Sequence, residues 1–372
     1  MKPGDEQPKL EDLLSNDGPS SAQPADPAQQ ELAAAVQRMI VNAGQESWDP
    51  SDKASLWNNI AGQLVPQHFR YRYLFVKVAA AILVLLAIGA WWLWPRQHSA
   101  LVQFAQQHRP AENTTDTRLI LGQNKSVVVQ GKNSSLVYAG SGVTINANNT
   151  PIPAEEYNTL IVPYGRRSRV QLEDGTVVFL NAGSRLVYPA TFKQHKREVY
   201  LEGEGFFDIA PNAAAPFYVY AYGVATEVLG TTFNVSAYPD DARQSVVLVS
   251  GSVRLHLQHG LFGKQTRELQ PAEMGLLEDD ALEVSHVNVN AYTAWKEGRL
   301  LNLHTPLKDI LKKLTRYYNI KLDLDSLQPG LETFSGDLDL DENLENVLDI
   351  ICAANSLRYE RQGKGFVLKE KD

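Results

Sequence analysis

A single cysteine, Cys352, stands in 372 residues. That excludes an intramolecular disulfide and any zinc site built on cysteine clusters, and leaves Cys352 to read as a core thiol. The eight histidines are scattered. His256 and His259 are three apart in a strand-like stretch, which puts them on opposite faces and gives no metal set. Neither G-x-S-x-G nor H-E-x-x-H occurs. Gly203-Glu204-Gly205 and Gly230 precede no helix and so make no phosphate cradle. The acidic pairs Asp240-Asp241 and Asp279-Asp280 fall in turn-like stretches and read as solvated loop tips. No segment carries the basic stripe that duplex binding needs, and the net charge is −8, so no direct nucleic-acid contact is expected. The residues thus indicate no cofactor, no metal and no multiple-turnover enzyme. A nucleophile–base pair assembled by the fold stays open, because such sites are defined by geometry.

What is present is one long apolar run. Val78–Trp94 reads VAAAILVLLAIGAWWLW, seventeen residues without a charge. Tyr73–Val76 extend it past Lys77, whose ammonium can snorkel. About 20 helical residues at ~1.5 Å each span a ~30 Å hydrocarbon core. Tyr71 and Tyr73 flank one end, Trp91, Trp92 and Trp94 the other, in the pattern of interfacial aromatic belts, and Pro95 ends the helix. A transmembrane helix is expected over 73–94. Arg70, Arg72 and Lys77 precede it and Arg96 follows, which places the N-terminus in the cytoplasm and 96–372 across the inner membrane.

Residues 1–69 carry ten acids against four bases. Residues 1–28, rich in Pro, Asp, Gln and Ser, read as a disordered acidic tail. Two short amphipathic helices follow within 29–70. Leu32, Val36, Met39 and Ile40 share a face over Gln29–Asn42; Leu56, Ile60 and Leu64, with Trp57 beside them, share one over Asp52–Leu64, where Ser51 is a candidate N-cap. So short a pair buries little core: it is a loosely packed hairpin, or a pair whose apolar faces are completed by a partner.

After a linker over 95–116, residues 117–290 alternate strand-like runs with Gly, Asn and Asp turns and read as all-β, either a sandwich or a solenoid-like stack. In RVQLEDGTVVFL, Asp174-Gly175 predicts a two-residue type I′ turn that pairs Leu172 with Val177 and Val170 with Phe179 on one face. Tyr218, Tyr220 and Tyr222 alternate along one run, as a surface ladder or as stacking groups for a sugar. Residues 291–372 hold a duplication. Leu307, Ile310, Leu311 and Leu314 recur 37 residues later as Leu344, Val347, Leu348 and Ile351, with Ile320 and Leu322 matched by Leu357 and Tyr359. Two β-α-β units, roughly 293–322 and 333–361, are expected to pack both helices on one sheet as an α+β domain, with Thr305 capping the first helix and Pro306 opening it. The chain therefore reads as a multidomain membrane protein with a short α-helical cytoplasmic segment, one transmembrane helix, an all-β periplasmic domain and a C-terminal α+β domain.

The stretches YGRRSRVQLEDGTVVFLNAGSRLVYPATF (164–192), REVYLEGEGFFDIA (197–210), PFYVYAYGVATEVLGTTFNVSAY (216–238), VVLVSGSVRL (246–255), LQPAEMGLL (269–277) and AWKEGRLLNLHTPLKDILKKLTRYYNIKL (294–322) resemble the FecR-like anti-sigma factor family in its Bacteroidetes-type form. Its C-terminal domain is similar to the short signalling domain at the N-termini of secretins and TonB-dependent transducers. The resemblance implies that the cytoplasmic region binds an extracytoplasmic-function sigma factor. It implies that the periplasmic part senses the signalling domain of a TonB-dependent outer-membrane transducer, loaded with a glycan or an iron carrier, and that periplasmic and intramembrane proteases are further partners. The sigma-factor face would then be Leu32, Val36, Met39, Ile40, Leu56, Trp57, Ile60 and Leu64. Some relatives break themselves at a Gly-Thr bond; the matching bond is Gly230–Thr231, where the Thr hydroxyl would attack the preceding carbonyl. From the residues alone the same bond is an ordinary strand bend with Gly for room. The N-terminal region departs from the family, with only LWNNI (56–60) matching its usual helices. An alternative reading is a membrane-anchored carbohydrate-binding module or enzyme.

Overall fold

The structure is a computed structural model. Before residue 95 it describes residues 31, 34–36, 38–39, 50–63, 77–86 and 89; after it, 99–109, 114–122, 125–139, 142–146, 152–153, 156–259, 263–279, 281–323 and 333–371. The chain divides into Met1–Pro95 and Arg96–Asp372.

In the first unit, α1 spans Pro50–Gln63. Proline is preorganised for a first helical turn, so Ser51 lies inside the helix and is not its N-cap. Trp57 and Ile60 of α1 are exposed, as are Val36 and Met39 of the preceding helical residues. Nothing is described of the Leu56 side chain, and Leu32, Ile40, Leu64 and the tail 1–28 lie outside the described residues. Residues 77–86 are helical, and Val78, Ile82, Leu83, Val84, Leu85 and Leu86 are exposed. Among the described residues no helix is long and apolar enough to cross a membrane.

The second unit begins with α2 (Ala100–Gln107). Among the described residues eighteen strands follow, in two sheets that share one strand, and the chain feeds them alternately. Into the first sheet go β1 (Thr117–Leu121) and β2 (Lys125–Val129); into the second, β3 (Asn133–Ala139), β4 (Gly142–Ile145) and β5 (Ile152–Pro153). Strand β6 (Tyr157–Val162) is in the first, β7 (Arg167–Gln171) and β8 (Val177–Leu180) in the second, and β9 (Ser184–Pro189) in the first. Strand β10 (Arg197–Asp208) belongs to both. Beyond it β11 (Phe217–Ala221), β12 (Val224–Val228), β15 (Val253–His259) and β16 (Gly263–Leu269) extend the first sheet. The second is extended by β13 (Thr232–Ala237), β14 (Arg243–Ser250), β17 (Glu273–Glu278) and β18 (Ala281–His286).

One apolar core takes side chains from both sheets: Leu160, Leu186, Val199 and Phe217 from the first, Leu136, Val178, Phe207 and Phe233 from the second. The architecture is thus a sandwich, and the alternating hairpins give it the progression of a stack. Strand β10 crosses between the layers. Its residues 200–202 pair with β9, and 205–208 pair with β8. The crossing is at Gly203, whose φ is +97° and where a Cβ would lie 2.6 Å from Ser184 Cα. The Ser184 hydroxyl clips the bend, donating to the Glu204 carbonyl (3.0 Å) and accepting from the Glu204 amide (2.9 Å).

The β7–β8 hairpin differs from the predicted two-residue turn. The Leu172 amide donates to the Thr176 carbonyl, leaving a three-residue loop with Gly175 at φ +86°. The extra residue shifts the register by one, so Val170 faces Val178 and Arg169 faces Phe179. Because side chains alternate with period two, that slip sends Phe179 to the outer face, where it packs edge-on to Phe206. The loop is held by the Asp174 carboxylate, which accepts from Thr176 and from the buried Arg197.

The C-terminal region runs through two short helical turns (Asn290–Thr293 and Ala294–Glu297), β19 (Arg299–Pro306), α3 (Leu307–Tyr318), β20 (Leu322–Asp323), β21 (Thr333–Asp339), α4 (Leu344–Asn355), β22 (Leu357–Gln362) and β23 (Gly365–Glu370). Helices α3 and α4 begin 37 residues apart. All eight apolar residues assigned to their faces are buried in one cluster. The strands form two sheets rather than one: β19 with β21, and β20-β23-β22. The unforeseen β23 makes the difference, inserting between β20 and β22, with which it pairs in parallel and antiparallel fashion. Thr305 and Pro306 are still strand. Pro306 is the N-cap of α3 and makes no side-chain cap, and the Thr305 hydroxyl accepts from the Leu303 amide.

Replacing Gly203 by Ala forces a left-handed backbone on a Cβ with no room, and should destabilise the 96–372 fragment by about 2–4 kcal/mol. Gly223→Ala, at φ +90° with nothing within 4 Å, should cost only ~1–2 kcal/mol. Urea unfolding of the two variants tests the contrast.

Candidate functional site

The C-terminal region is fixed to the β sandwich at a joint of three contacts. The first is the loop Tyr164–Arg167 between β6 and β7. Gly165, at φ +78°, lets the backbone approach the end of α3, and its amide donates to the Arg316 carbonyl (2.8 Å). A Cβ there would sit 3.1 Å from Asn319 Cβ. Arg167 donates to the Trp295 carbonyl (2.8 Å) and lies 5.2 Å from the centre of the Tyr317 ring. The Tyr317 hydroxyl in turn donates to Asp341 (2.9 Å).

The second contact is the turn after β13. Arg316, 5% exposed, donates to both oxygens of Asp241 (2.7 and 2.9 Å) and to Asp240 (2.8 Å). Its guanidinium lies 3.7 Å from the centre of the Tyr238 ring, and Lys312 pairs with the same two carboxylates. Asp240-Asp241 is therefore no solvated loop tip but half of a clasp. A planar guanidinium suits a two-carboxylate partner and an aromatic face at once. Burial works against charge on both sides. The hydrogen bonds from Arg316 and Lys312 prevail at Asp241, which is held below the ordinary aspartate value of 3.8, and the Asp241 bonds likewise raise Arg316.

The third contact reaches into the sandwich. Trp295, 7% exposed, donates from its indole to Asn234 Oδ1 (3.1 Å). Asn234 donates to Glu204 (3.1 Å), and Asn181 donates to the other Glu204 oxygen (2.7 Å). Burial raises the pKa of Glu204 in spite of nearby Lys313 and the two amides. The Gly-Glu-Gly segment thus serves as a bend and an anchor for the joint, a role that required the β10 crossing to be seen.

The Gly230–Thr231 bond lies in the bend between β12 and β13. A Cβ on Gly230 would be 2.7 Å from Pro211 Cα, so glycine is required by space. Thr231 is buried; its hydroxyl donates to the Ser252 carbonyl (2.9 Å) and accepts from the Ser252 amide (3.4 Å). The Thr231 carbonyl accepts from Ile209.

Tyr218 and Tyr220 stack on the outer face of the first sheet, but Tyr222 lies beyond β11 in the turn, at φ +31°. Lys196 sits over both stacked rings (4.7 and 5.6 Å), so the ladder is already covered by a cation. His256 meets Glu227 (2.6 Å), and among the described residues no group of side chains could hold a metal. The exposed Val36, Met39, Trp57 and Ile60 belong to the first unit.

Comparison with known proteins places the joint in context. The family described as "FecR protein" matches residues 158–254, and the one described as "FecR, C-terminal" matches 303–368. Two crystal structures of a candidate anti-sigma factor from Parabacteroides distasonis, at 1.65 Å and 2.50 Å, are similar at 30% identity and a TM-score of 0.53. They cover 57% and 58% of this chain, which spans 99% and 100% of theirs. No curated protein matches.

Arg316→Met should lower the stability of the 96–372 fragment by about 2 kcal/mol, since it leaves two partly solvated carboxylates to Lys312 alone. A depressed aspartate pKa contributes stability that is present above the unfolded value and lost as pH falls through the folded one. Unfolding measured from pH 6 downward should therefore show an increment that is lost below about 4 in the parent and is smaller in Arg316→Met, where Lys312 alone holds Asp241 down.

Proposed function

The chain belongs to the FecR-like anti-sigma factor family, and from that premise we propose that it is a single-pass inner-membrane regulator. In this reading residues 1–70 are cytoplasmic, with the helical region 29–70 holding an extracytoplasmic-function sigma factor, and 73–94 cross the bilayer. Residues 117–290 and 291–372 form the periplasmic receptor for the signalling domain of a TonB-dependent transducer. Periplasmic and intramembrane proteases are further partners when the cytoplasmic part is released.

The observation that carries the sigma-factor contact is the exposure of Trp57 (59%) and Ile60 (40%) one turn apart on α1. A large aromatic beside a β-branched residue on a short helix is what a helix-in-groove partner takes up, and the acidic surroundings of 1–69 suit a basic surface. The apolar side chains of 77–86 are likewise exposed in every described case, as a lipid-facing helix requires.

Residues 1–70, tagged at the N-terminus, should capture the sigma factor encoded nearest this chain in stoichiometric amount. Trp57→Ala should weaken capture by about 2 kcal/mol or more if this is the anchor. A well-behaved fragment that captures nothing would remove the regulator reading and leave the β sandwich as an exported binding module.

The Gly230–Thr231 bond is structural in this proposal. A Thr hydroxyl engaged on both sides by the Ser252 peptide is turned to that partner, and the crowding at Gly230 explains the glycine without chemistry. Intact-mass measurement of purified 96–372 should give one chain. Two fragments summing to it with one added water, abolished in Thr231→Ala, would assign self-cleavage to this bond instead.

A further inference from the structure

Helix α2, outside both family matches, docks on the outer face of the first sheet. Leu101 and Ala105 are buried with Val187 and Tyr200 in a small cluster separate from the main core, with Val102, Phe104, Tyr157 and Tyr220 packed around it. No charged side chain lies within ALVQFAQQ, and its N-cap residue Ser99 makes no cap; the Ser99 hydroxyl donates instead to Glu198 (3.2 Å). Arg185 caps the C-terminal end, and Arg109, just beyond it, also reaches Glu202 (3.7 Å). Arg185, on β9, donates to the Ala105 carbonyl from two nitrogens (3.1 Å each) and to the His108 carbonyl (3.4 Å). Its remaining faces meet Glu202, on β10, at 3.0 Å through Nε and Nη2. Arg185 and Glu202 are register partners. A cation at the carbonyl end of a helix satisfies otherwise orphaned acceptors and opposes the helix dipole.

Two features make this contact a device rather than decoration. An eight-residue helix is not stable alone in water, so leaving the sheet and melting are one event, and α2 is a two-state element. Its anchor is also next to the joint. Glu202 holds Arg185, Gly203 is the bend, and Glu204 accepts from Asn234 of β13, which in turn accepts from the Trp295 indole of the C-terminal region. On the facing strand, Ser184 clips the bend and Arg185 caps α2.

We infer that α2 is a releasable strap, docked in the resting protein by Arg185–Glu202, whose detachment is set by the state of the joint through residues 184–185 and 202–204. The inference rests on the anti-sigma reading for its consequence. The strap starts five residues after Pro95, so its release lengthens the tether between the apolar segment and the β sandwich and opens the chain that follows the membrane.

The test uses the full chain in membranes. Cys352 is buried and its thiol is pushed up to about 11, so the parent gives a low background of maleimide labelling. Ala105→Cys reports docking, and Gln106→Cys, on the exposed side, reports an accessible strap. Ala105→Cys should react about tenfold or more slowly than Gln106→Cys, because only the opened fraction is reactive. Arg185→Met in that background should bring the two rates within about threefold of each other. So should Leu101→Ser, which alters the strap and leaves the sandwich untouched. Arg316→Met, at the joint, should raise Ala105→Cys labelling as well, and all three should shift uninduced sigma-dependent transcription in the same direction. Equal rates in the parent, or labelling unmoved by Arg316→Met, would overturn the coupling; a released strap with unchanged transcription would overturn its regulatory role. Failure of the anti-sigma reading itself is recognised separately, by residues 1–70 not capturing the sigma factor while the labelling pattern holds.

Discussion

The fold beyond residue 96 depends on one backbone event, the passage of β10 from the first sheet to the second at Gly203. A twelve-residue strand that changes layer ties two sheets into one core, and it can turn there only because a residue without a Cβ accepts φ +97° against Ser184. Several buried polar contacts collect around the bend. The hydroxyl of Ser184 bonds both backbone groups of Glu204, Glu202 meets Arg185, and Glu204 meets the Asn234 amide that reaches Trp295. Buried polar groups are tolerated only when they are bonded, and here each is bonded to a different neighbouring element. The bend is therefore where elements distant in sequence are compelled to agree.

The joint has the chemistry of an interface rather than of a core. Its anchors are two arginines, a tryptophan and tyrosines, with carboxylates answering the arginines. Such groups hold orientation well but contribute modest net stability, since desolvation offsets much of the Coulomb attraction. Two bodies fixed in this way behave as one until a competitor for the same surfaces, or a shift of a few kcal/mol, separates them.

Periodic features were legible in the sequence. The 37-residue repeat placed eight buried side chains on two helices because helical faces are written every three to four residues, and the alternation of short strands with turn residues gave the β class. Register was not legible: Asp174-Gly175 serves a two-residue turn or a three-residue loop equally well, and only the contact from Arg197 and the Thr176 bonds choose between them. The Asp240-Asp241 clasp was invisible for a related reason. Its partner Arg316 lies 75 residues on, on a helix whose apolar stripe does not include it. The strand β23 escaped because the repeat ends before it. Of the side chains expected on the sigma-factor face, Val36, Met39, Trp57 and Ile60 are exposed, while Leu32, Ile40 and Leu64 lie outside the described residues.

The single-pass regulator proposed above faces a physical difficulty. A graded tilt or strain applied to a large folded part is dissipated in a flexible linker before it reaches the other side, so coupling requires an element with two discrete states. The β sandwich is unsuited to that role, being held by a continuous core and by strand pairing throughout. A short uncharged helix docked through Leu101 and Ala105 and capped by the Arg185 guanidinium is suited to it, because so short a helix melts when it leaves the sheet. The ion pair that secures it also lies one residue from the bend where the C-terminal region gains its deepest hold on the sandwich. A disturbance at Trp295 need travel only along Asn234 and Glu204 to alter the geometry of Glu202. The connection is short because the same strand serves both layers, and this is how the constraint at Gly203 extends from the fold to its use.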